Sequence, residues 1–184
     1  YATLYWAYIE RKFIIPKWSH SLPFLRRYID DKFGIWTGSE ETFTAFLQDL
    51  NSYSQLKWTS SGLSSSVNFL DITITIENDG KISTKTFQKP TNLHLYIPPS
   101  SAHPPGVLRS LIFGNLQRYW KQNTYVADFA DIAKQFANRL VARGYDKTYI
   151  IDIFTQAAKN LDGILSTKNK SDSNDTLYLH WTWH

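Results

Sequence analysis

Cysteine and methionine are both missing from this sequence. The lack of cysteine among its 184 residues excludes disulfide bonds, zinc–thiolate sites and thiol nucleophiles. Methionine is absent even at position 1, so we expect the sequence to be a piece of a longer protein. No apolar run approaches the ~20 residues of a membrane-spanning helix, and no secretory signal pattern opens the sequence. A membrane partner is therefore not expected.

The charge balance is basic but modest. Twenty Lys and Arg residues against sixteen Asp and Glu residues give a formal net charge of +4. Such a balance suits a polyanionic partner without identifying one. The length allows one full domain or two small ones, and the aromatic share of 16% supplies large side chains for a core.

Two neighbouring carboxylates are the most informative local feature. Asp30 and Asp31 stand between two apolar, strand-favouring runs at 22–29 and 33–36. The pattern predicts a β-hairpin with both aspartates at its tip, because tight turns favour Asp. Adjacent carboxylates repel each other unless a proton or cation neutralises one, and Mg²⁺ suits oxygen ligands of this kind. An Asp-Asp pair alone is far more often part of a solvated loop than of a metal site, so the surrounding sequence is needed to distinguish the two.

Helical and extended patterns lie on either side of this hairpin. Apolar residues at helical spacing predict a helix over 1–13, followed by a connector that contains Pro16. Ser39 is predicted to cap a helix whose apolar stripe lies at 43–50. A short strand is predicted at 56–59.

A second hairpin is predicted further along. Residues 68–76 alternate between apolar and polar and predict one continuous strand. The Asn-Asp-Gly sequence at 78–80 is a strong turn signal, and 81–87 supplies the returning strand.

Beyond the prolines at 98–105 the apolar period changes from two to 3.6, which predicts a small antiparallel bundle of three helices. Thr124 opens the second helix, Gly144 ends it, and Asp146 opens the third. Residues 166–175 are predicted to be a polar loop before an incomplete strand at 176–184. The predicted fold class is α+β. The apolar positions assigned to the helical core are Leu108, Leu111, Ile112, Leu116, Tyr119, Tyr125, Phe129, Ile132, Phe136, Leu140, Ile150, Ile151, Phe154, Ala158 and Leu161.

Five short strings, taken in order, resemble one family. They are Arg26-Arg27-Tyr28-Ile29-Asp30-Asp31, Asn68-Phe69-Leu70-Asp71, Lys89-Pro90-Thr91-Asn92-Leu93-His94, Ser101-Ala102-His103-Pro104 and Arg143-Gly144-Tyr145. This series is similar to that of reverse transcriptases of Penelope-like retroelements and their relatives, over nearly the whole chain. The resemblance implies a partial polymerase palm at 1–97, a helical thumb-like subdomain at 98–165, and a polar loop with a truncated strand at 166–184.

The resemblance also implies roles at the hairpin tip. Asp30 would hold the catalytic Mg²⁺ ions, Asp31 would support it nearer the primer end, and Tyr28 would pack beside the primer terminus. The implied reaction extends a DNA primer on an RNA template with dNTPs, by two-metal nucleotidyl transfer. Glu10, the only acidic residue before Asp30, does not fit the family's motif A aspartate. The fingers are missing as well, so we expect the isolated chain to be inactive. An intracellular location, nuclear or cytoplasmic, is implied by the family.

Six polar or basic residues are candidate contacts to the template–primer duplex. The second hairpin resembles a primer grip, and the helix at 107–120 resembles the thumb helix that tracks the duplex minor groove. Lys and Arg release counterions from phosphate, although a solvated helix face explains the same residues. The candidates are Lys85, Lys89, Asn92, Arg109, Arg118 and Lys121.

Two other interpretations of the sequence stay open. The chain could be a non-catalytic nucleic-acid-binding remnant of a decayed element, or a structural domain with no nucleic-acid role. A zinc site is poorly supported, because the histidines, among them His94 and His103, have neither thiols nor a carboxylate cluster nearby.

Overall fold

The computed structural model describes residues 1–104 and 106–168, with the side chains of the last helix described as far as residue 159. It divides into two compact units, Tyr1–Phe87 and Gln88–His184. The first combines helices with two small antiparallel sheets and the second is helical, which agrees with the predicted α+β class. Within the described residues no helix is long and apolar enough to cross a bilayer.

The first unit opens with one continuous helical segment. Helix α1 (Ala2–Ile9) passes through a π-helical turn (Glu10–Ile14) into α2 (Ile15–Trp18). The predicted end near residue 13, with Pro16 in a connector, is therefore wrong. Pro16 stands at the start of α2, where a missing N–H costs little, and the π-helical turn takes up the change in hydrogen-bond pattern.

Helix α3 (Glu40–Ser52) begins as the sequence predicts. The Ser39 hydroxyl accepts a hydrogen bond from Thr42 N, and the predicted apolar stripe is buried or half-buried. The strand predicted at 56–59 is wrong, because residues 57–62 have no regular structure. Instead the Asn51 side chain bonds both backbone groups of Trp58, its N–H at 2.5 Å and its C=O at 3.0 Å. A side chain thus replaces the ladder partner that a strand would need.

Five strands form the two sheets. Strand β1 (Phe24–Tyr28) pairs with β2 (Asp31–Ile35), and β3 (Ser66–Phe69), β4 (Ile72–Ile76) and β5 (Ile82–Thr86) form an antiparallel meander.

The prediction of one strand over 68–76 is wrong. Leu70 adopts a left-handed φ of +55°, and the chain turns at Leu70 and Asp71 between β3 and β4. Asp favours such turns, and the Asn68 and Thr73 side chains join the two strands by a 2.7 Å hydrogen bond. The predicted turn at Asn78-Asp79-Gly80 is confirmed, with Gly80 at φ +82°.

The second unit contains the three predicted helices: α4 (Val107–Gln122), α5 (Val126–Ala142) and α6 (Lys147–Lys168). Gly144 follows α5 with a φ of +97°, a conformation that glycine adopts without strain. Asp146 caps α6, because its Oδ1 accepts from Thr148 N and Tyr149 N at 2.9 and 3.0 Å.

Two expectations for α6 are wrong. Ile151 is 64% exposed and Ala158 is also exposed, because the buried positions follow the helical period as Ile150, Ile153 and Ala157. The predicted polar loop at 166–175 begins inside α6, and its remainder, with the strand predicted at 176–184, lies outside the described residues. Tyr125, also assigned to the helical core, is 51% exposed because it lies just before α5, and Leu161 has no described side chain.

The segment before α4 packs on the helices, which explains why the second unit starts at Gln88 rather than at the predicted boundary of 97/98. Arg139 donates to Gln88 Oε1 at 2.7 Å, and Arg143 Nε donates to the Tyr96 carbonyl at 2.7 Å. The Tyr145 hydroxyl donates to the Ile97 carbonyl at 2.8 Å.

The burial pattern of α6 predicts a large effect on stability at one isoleucine and almost none at another nearby. Ile153→Ala removes a side chain that is 1% exposed and should lower the free energy of unfolding by about 2–5 kcal/mol. Ile151→Ala, the same change at an exposed site, should alter it by less than about 0.5 kcal/mol. Urea denaturation followed by circular dichroism measures both, and equal midpoints for the two variants would contradict the assigned helix face.

Candidate metal centre and nucleic-acid interface

The two aspartates lie at the end of a tight hairpin. Tyr28 pairs with Asp31 across the strands, so the loop between them consists of Ile29 and Asp30 alone. Ile29 has a φ of +52°, a left-handed conformation that costs a β-branched residue about 1–2 kcal/mol. We call residues 28–31 the aspartate turn. Its backbone is strained at the residue directly before the first aspartate.

Both carboxylates of the aspartate turn face solvent. Asp30 and Asp31 are exposed, and within the described residues neither accepts a hydrogen bond or forms an ion pair. Strand alternation places the Asp31 side chain on the same face as Tyr28, which is 50% exposed. The predicted hairpin with its aspartates at the tip is confirmed, with Asp31 the first residue of β2.

The donor set of the aspartate turn fits a hard divalent cation in part. Two carboxylates without protein partners among the described residues supply oxygen ligands, which Mg²⁺ prefers. Among the side chains that the structure describes, no group of three His, Asp or Glu residues is placed to hold a metal ion. Mg²⁺ often uses one or two carboxylates and completes its shell with substrate phosphates and water. The turn therefore offers two ligands of a larger site.

Glu10 has a different role, which the sequence did not predict. It lies in the π-helical turn, where Oε1 is 2.8 Å from Arg27 Nε and 2.9 Å from Lys32 Nζ. The side chains of Glu10, Arg27 and Lys32 are 12%, 7% and 9% exposed. Because both cations already neutralise Glu10, it is not available to a metal at the aspartate turn.

Aromatic rings enclose the lysine of this cluster. Lys32 Nζ is 4.3 Å from the ring centroid of Trp6 and 3.8 Å from that of Trp58, which is within the range of cation–π attraction. Burial lowers the pKa of Lys32, and its contact with Glu10 opposes that shift. We call Glu10, Arg27, Lys32, Trp6 and Trp58 the anchor cluster. The sequence signal for it was a single carboxylate in a helical segment whose other side chains are mostly apolar or basic, because a buried charge requires partners.

An apolar cavity of about 540 Å³ in the first unit borders the anchor cluster, because Lys32 and Trp58 contribute to its lining. Its lining is mostly aliphatic, aromatic and serine side chains, and Lys32 is the only charged residue in it. Because this cavity has no carboxylate, it is distinct from the candidate metal centre.

The predicted nucleic-acid contacts are divided between the two units. Lys85 lies on β5, in the first unit, and Lys89 and Asn92 are exposed in the segment before α4. The Asn92 side-chain oxygen already accepts from His94 N at 2.9 Å. Arg109 donates to Gln156 of α6.

Helix α4 brings together only two of its three predicted contacts. Arg109 and Arg118 are nine residues apart, or about two and a half helical turns, so they lie on opposite sides of the helix. Arg118 and Lys121 are exposed and three residues apart, so they share a face. Ser110 and Gly114 lie on this exposed side as well, and no heavy atom lies within 4 Å of the position of a Gly114 Cβ. The helix contains no acidic residue.

Comparison with known proteins gives no match among family models, curated proteins or solved structures.

The anchor cluster predicts a large loss of stability when its carboxylate is neutralised. Glu10→Gln keeps the side-chain shape but leaves Arg27 and Lys32 buried without a counter-ion. We expect the free energy of unfolding to fall by about 3 kcal/mol. Asp79→Asn is the control, because Asp79 pairs with Lys81 in solvent and its removal should change little. Urea denaturation of both variants provides the measurement, and a Glu10→Gln midpoint equal to that of Asp79→Asn would exclude the anchoring role.

Proposed function

We propose that this chain is part of an RNA-directed DNA polymerase, comprising a portion of the palm with its thumb. The exposed aspartate turn carries the proposal, because its two adjacent carboxylates have no protein partners among the described residues. The five ordered strings that resemble reverse transcriptases of Penelope-like retroelements give the same assignment.

In this proposal the residues of the turn have separate tasks. Asp30 and Asp31 hold Mg²⁺, and Tyr28, on the same face as Asp31, packs beside the primer terminus. Bound Mg²⁺ would lower the pKa of the primer 3′-hydroxyl and neutralise charge on the departing pyrophosphate. The remaining protein ligand is an aspartate of motif A, which this sequence lacks. The isolated chain is therefore expected to be inactive.

The exposed face of α4 is the proposed duplex contact. Arg118 and Lys121 supply positive charge there, and no carboxylate on the helix opposes it. Gly114 lets a sugar–phosphate backbone approach the helix closely. Such contacts read the shape and backbone of an RNA–DNA duplex rather than its sequence.

A non-catalytic nucleic-acid-binding remnant is the second candidate. It is favoured by the two-carboxylate donor set, which has no third acidic ligand among the described residues. Extending the source reading frame upstream separates the two: a strand with a motif A aspartate favours the polymerase, and a stop codon or unrelated sequence favours the remnant.

Removal of the first aspartate tests the polymerase assignment. In the polymerase that contains this chain, Asp30→Ala should lower primer extension by about 100-fold or more, because charge in the transition state loses its stabilisation. Affinity for the duplex should stay within about twofold. Asp79→Ala is the control, since Asp79 is also exposed in a hairpin turn. Extension that survives Asp30→Ala at the rate of the control would remove Asp30 from the mechanism.

Salt dependence tests the duplex contact. The 184-residue chain should bind an RNA–DNA duplex with an affinity that falls steeply as salt rises, and Lys121→Ala should reduce the slope of log K against log [salt] by about 0.9. Lys81→Ala is the control, because Lys81 is in a turn of the other unit and pairs with Asp79. Fluorescence anisotropy at several salt concentrations gives the slopes. An affinity that does not change with salt, or an equal change of slope in Lys121→Ala and Lys81→Ala, would contradict a contact through α4.

A further inference from the structure

Arg27 connects the aspartate turn to the helical segment of the first unit. Its guanidinium donates from Nε to Glu10 Oε1 at 2.8 Å, from Nη2 to the Thr3 carbonyl at 2.9 Å and from Nη1 to the Ile29 carbonyl at 3.1 Å. Those acceptors belong to the π-helical turn, helix α1 and the aspartate turn. One planar side chain therefore fixes three parts of the chain relative to one another.

The contact with Ile29 bears directly on the first aspartate. The Ile29 carbonyl belongs to the peptide unit that joins Ile29 to Asp30, so holding that oxygen fixes the plane from which Asp30 projects. Ile29 is in a left-handed conformation at φ +52°, which a β-branched residue adopts only where surrounding contacts impose it. Since Ile29 is 65% exposed, packing of its side chain does not provide that constraint.

Lys32 reinforces the arrangement from the other strand. It is the cross-strand partner of Arg27 and pairs with the same oxygen of Glu10 at 2.9 Å. Both strands are thus attached to one buried carboxylate at the residue pair next to Tyr28 and Asp31. Because successive side chains alternate, the attachments lie on the face opposite to Asp31. The contacts with Glu10 therefore stabilise the hairpin on one face, and the opposite face, which carries Tyr28 and Asp31, is exposed to solvent.

We propose that Arg27 is a positioning residue, which fixes the Ile29–Asp30 peptide so that the Asp30 carboxylate is preorganised to hold a divalent cation. This rests on the proposed polymerase function. Arg27 itself touches neither metal nor substrate, and Glu10 acts by orienting Arg27. Lysine cannot replace it, because one ammonium group cannot reach three acceptors on three elements.

The test is a double-substitution cycle in the polymerase that contains this chain. Arg27→Lys retains the charge opposite Glu10 but loses the fork that reaches the Ile29 carbonyl. We expect kcat for primer extension to fall about 10- to 100-fold, as for a small displacement of a catalytic group. The Mg²⁺ concentration for half-maximal rate should rise, while the Kd for the duplex stays within about twofold. Arg26→Lys is the matched control on the same strand, since Arg26 is exposed and its contacts among the described residues are with its neighbours, the Leu25 carbonyl and the Phe24 ring.

The second substitution separates positioning from folding. Asn tolerates the left-handed region far better than Ile, so Ile29→Asn should make the turn less dependent on Arg27. We expect Arg27→Lys/Ile29→Asn to match Ile29→Asn in kcat within about threefold. If Arg27→Lys alone fails to fold, the comparison of the double variant with Ile29→Asn still tests the positioning role. An Arg27→Lys variant with the same kcat and Mg²⁺ dependence as Arg26→Lys would overturn the inference. So would an Arg27→Lys substitution that lowers kcat by the same factor with Ile29 present and with Ile29→Asn. If Asp30→Ala also sustains extension, the proposed function itself fails.

Discussion

The buried carboxylate of Glu10 is the constraint on which the first unit depends. A two-stranded hairpin is only marginally stable by itself, and β1 and β2 form a sheet with no third strand among the described residues. Glu10 compensates by pairing with Arg27 of one strand and Lys32 of the other. A charge that is almost fully removed from water needs both partners, so the π-helical turn and the hairpin hold each other in register.

The same constraint gives the three carboxylates of this region two different environments. Glu10 is buried and neutralised by two cations, so its role is structural. Asp30 and Asp31 lie beyond the last anchored residue pair, exposed and without a protein partner in the described part of the chain. Their unpartnered oxygens are what makes a cation site physically reasonable there. Two basic residues of the same hairpin, Arg27 and Lys32, pair with Glu10 rather than with the aspartates.

Local patterns in the sequence predicted much of the fold but not its anchor. The hairpin, the Ser39 cap and the three later helices follow from residue type and spacing within a few positions. Glu10 and Arg27 are 17 residues apart, and no local pattern indicates that they meet. The errors have similar causes: the turn at Leu70 needs a left-handed apolar residue, and the strand at 56–59 is replaced by bonds from Asn51. Of the candidate site, the exposed aspartates were predictable, whereas the strain at Ile29 and the separation of Arg109 from Arg118 required the structure.

In the proposed function, the aspartate turn holds a divalent cation when the complete protein binds its substrates. Iron-directed backbone cleavage tests this most directly: the complete protein is mixed with an RNA–DNA template–primer and Fe²⁺ in place of Mg²⁺, and ascorbate with peroxide generates short-lived radicals at bound iron. We expect backbone cleavage at residues 28–32 that excess Mg²⁺ suppresses. Cleavage confined to other parts of the chain, or cleavage at the turn that Mg²⁺ does not affect, would contradict it.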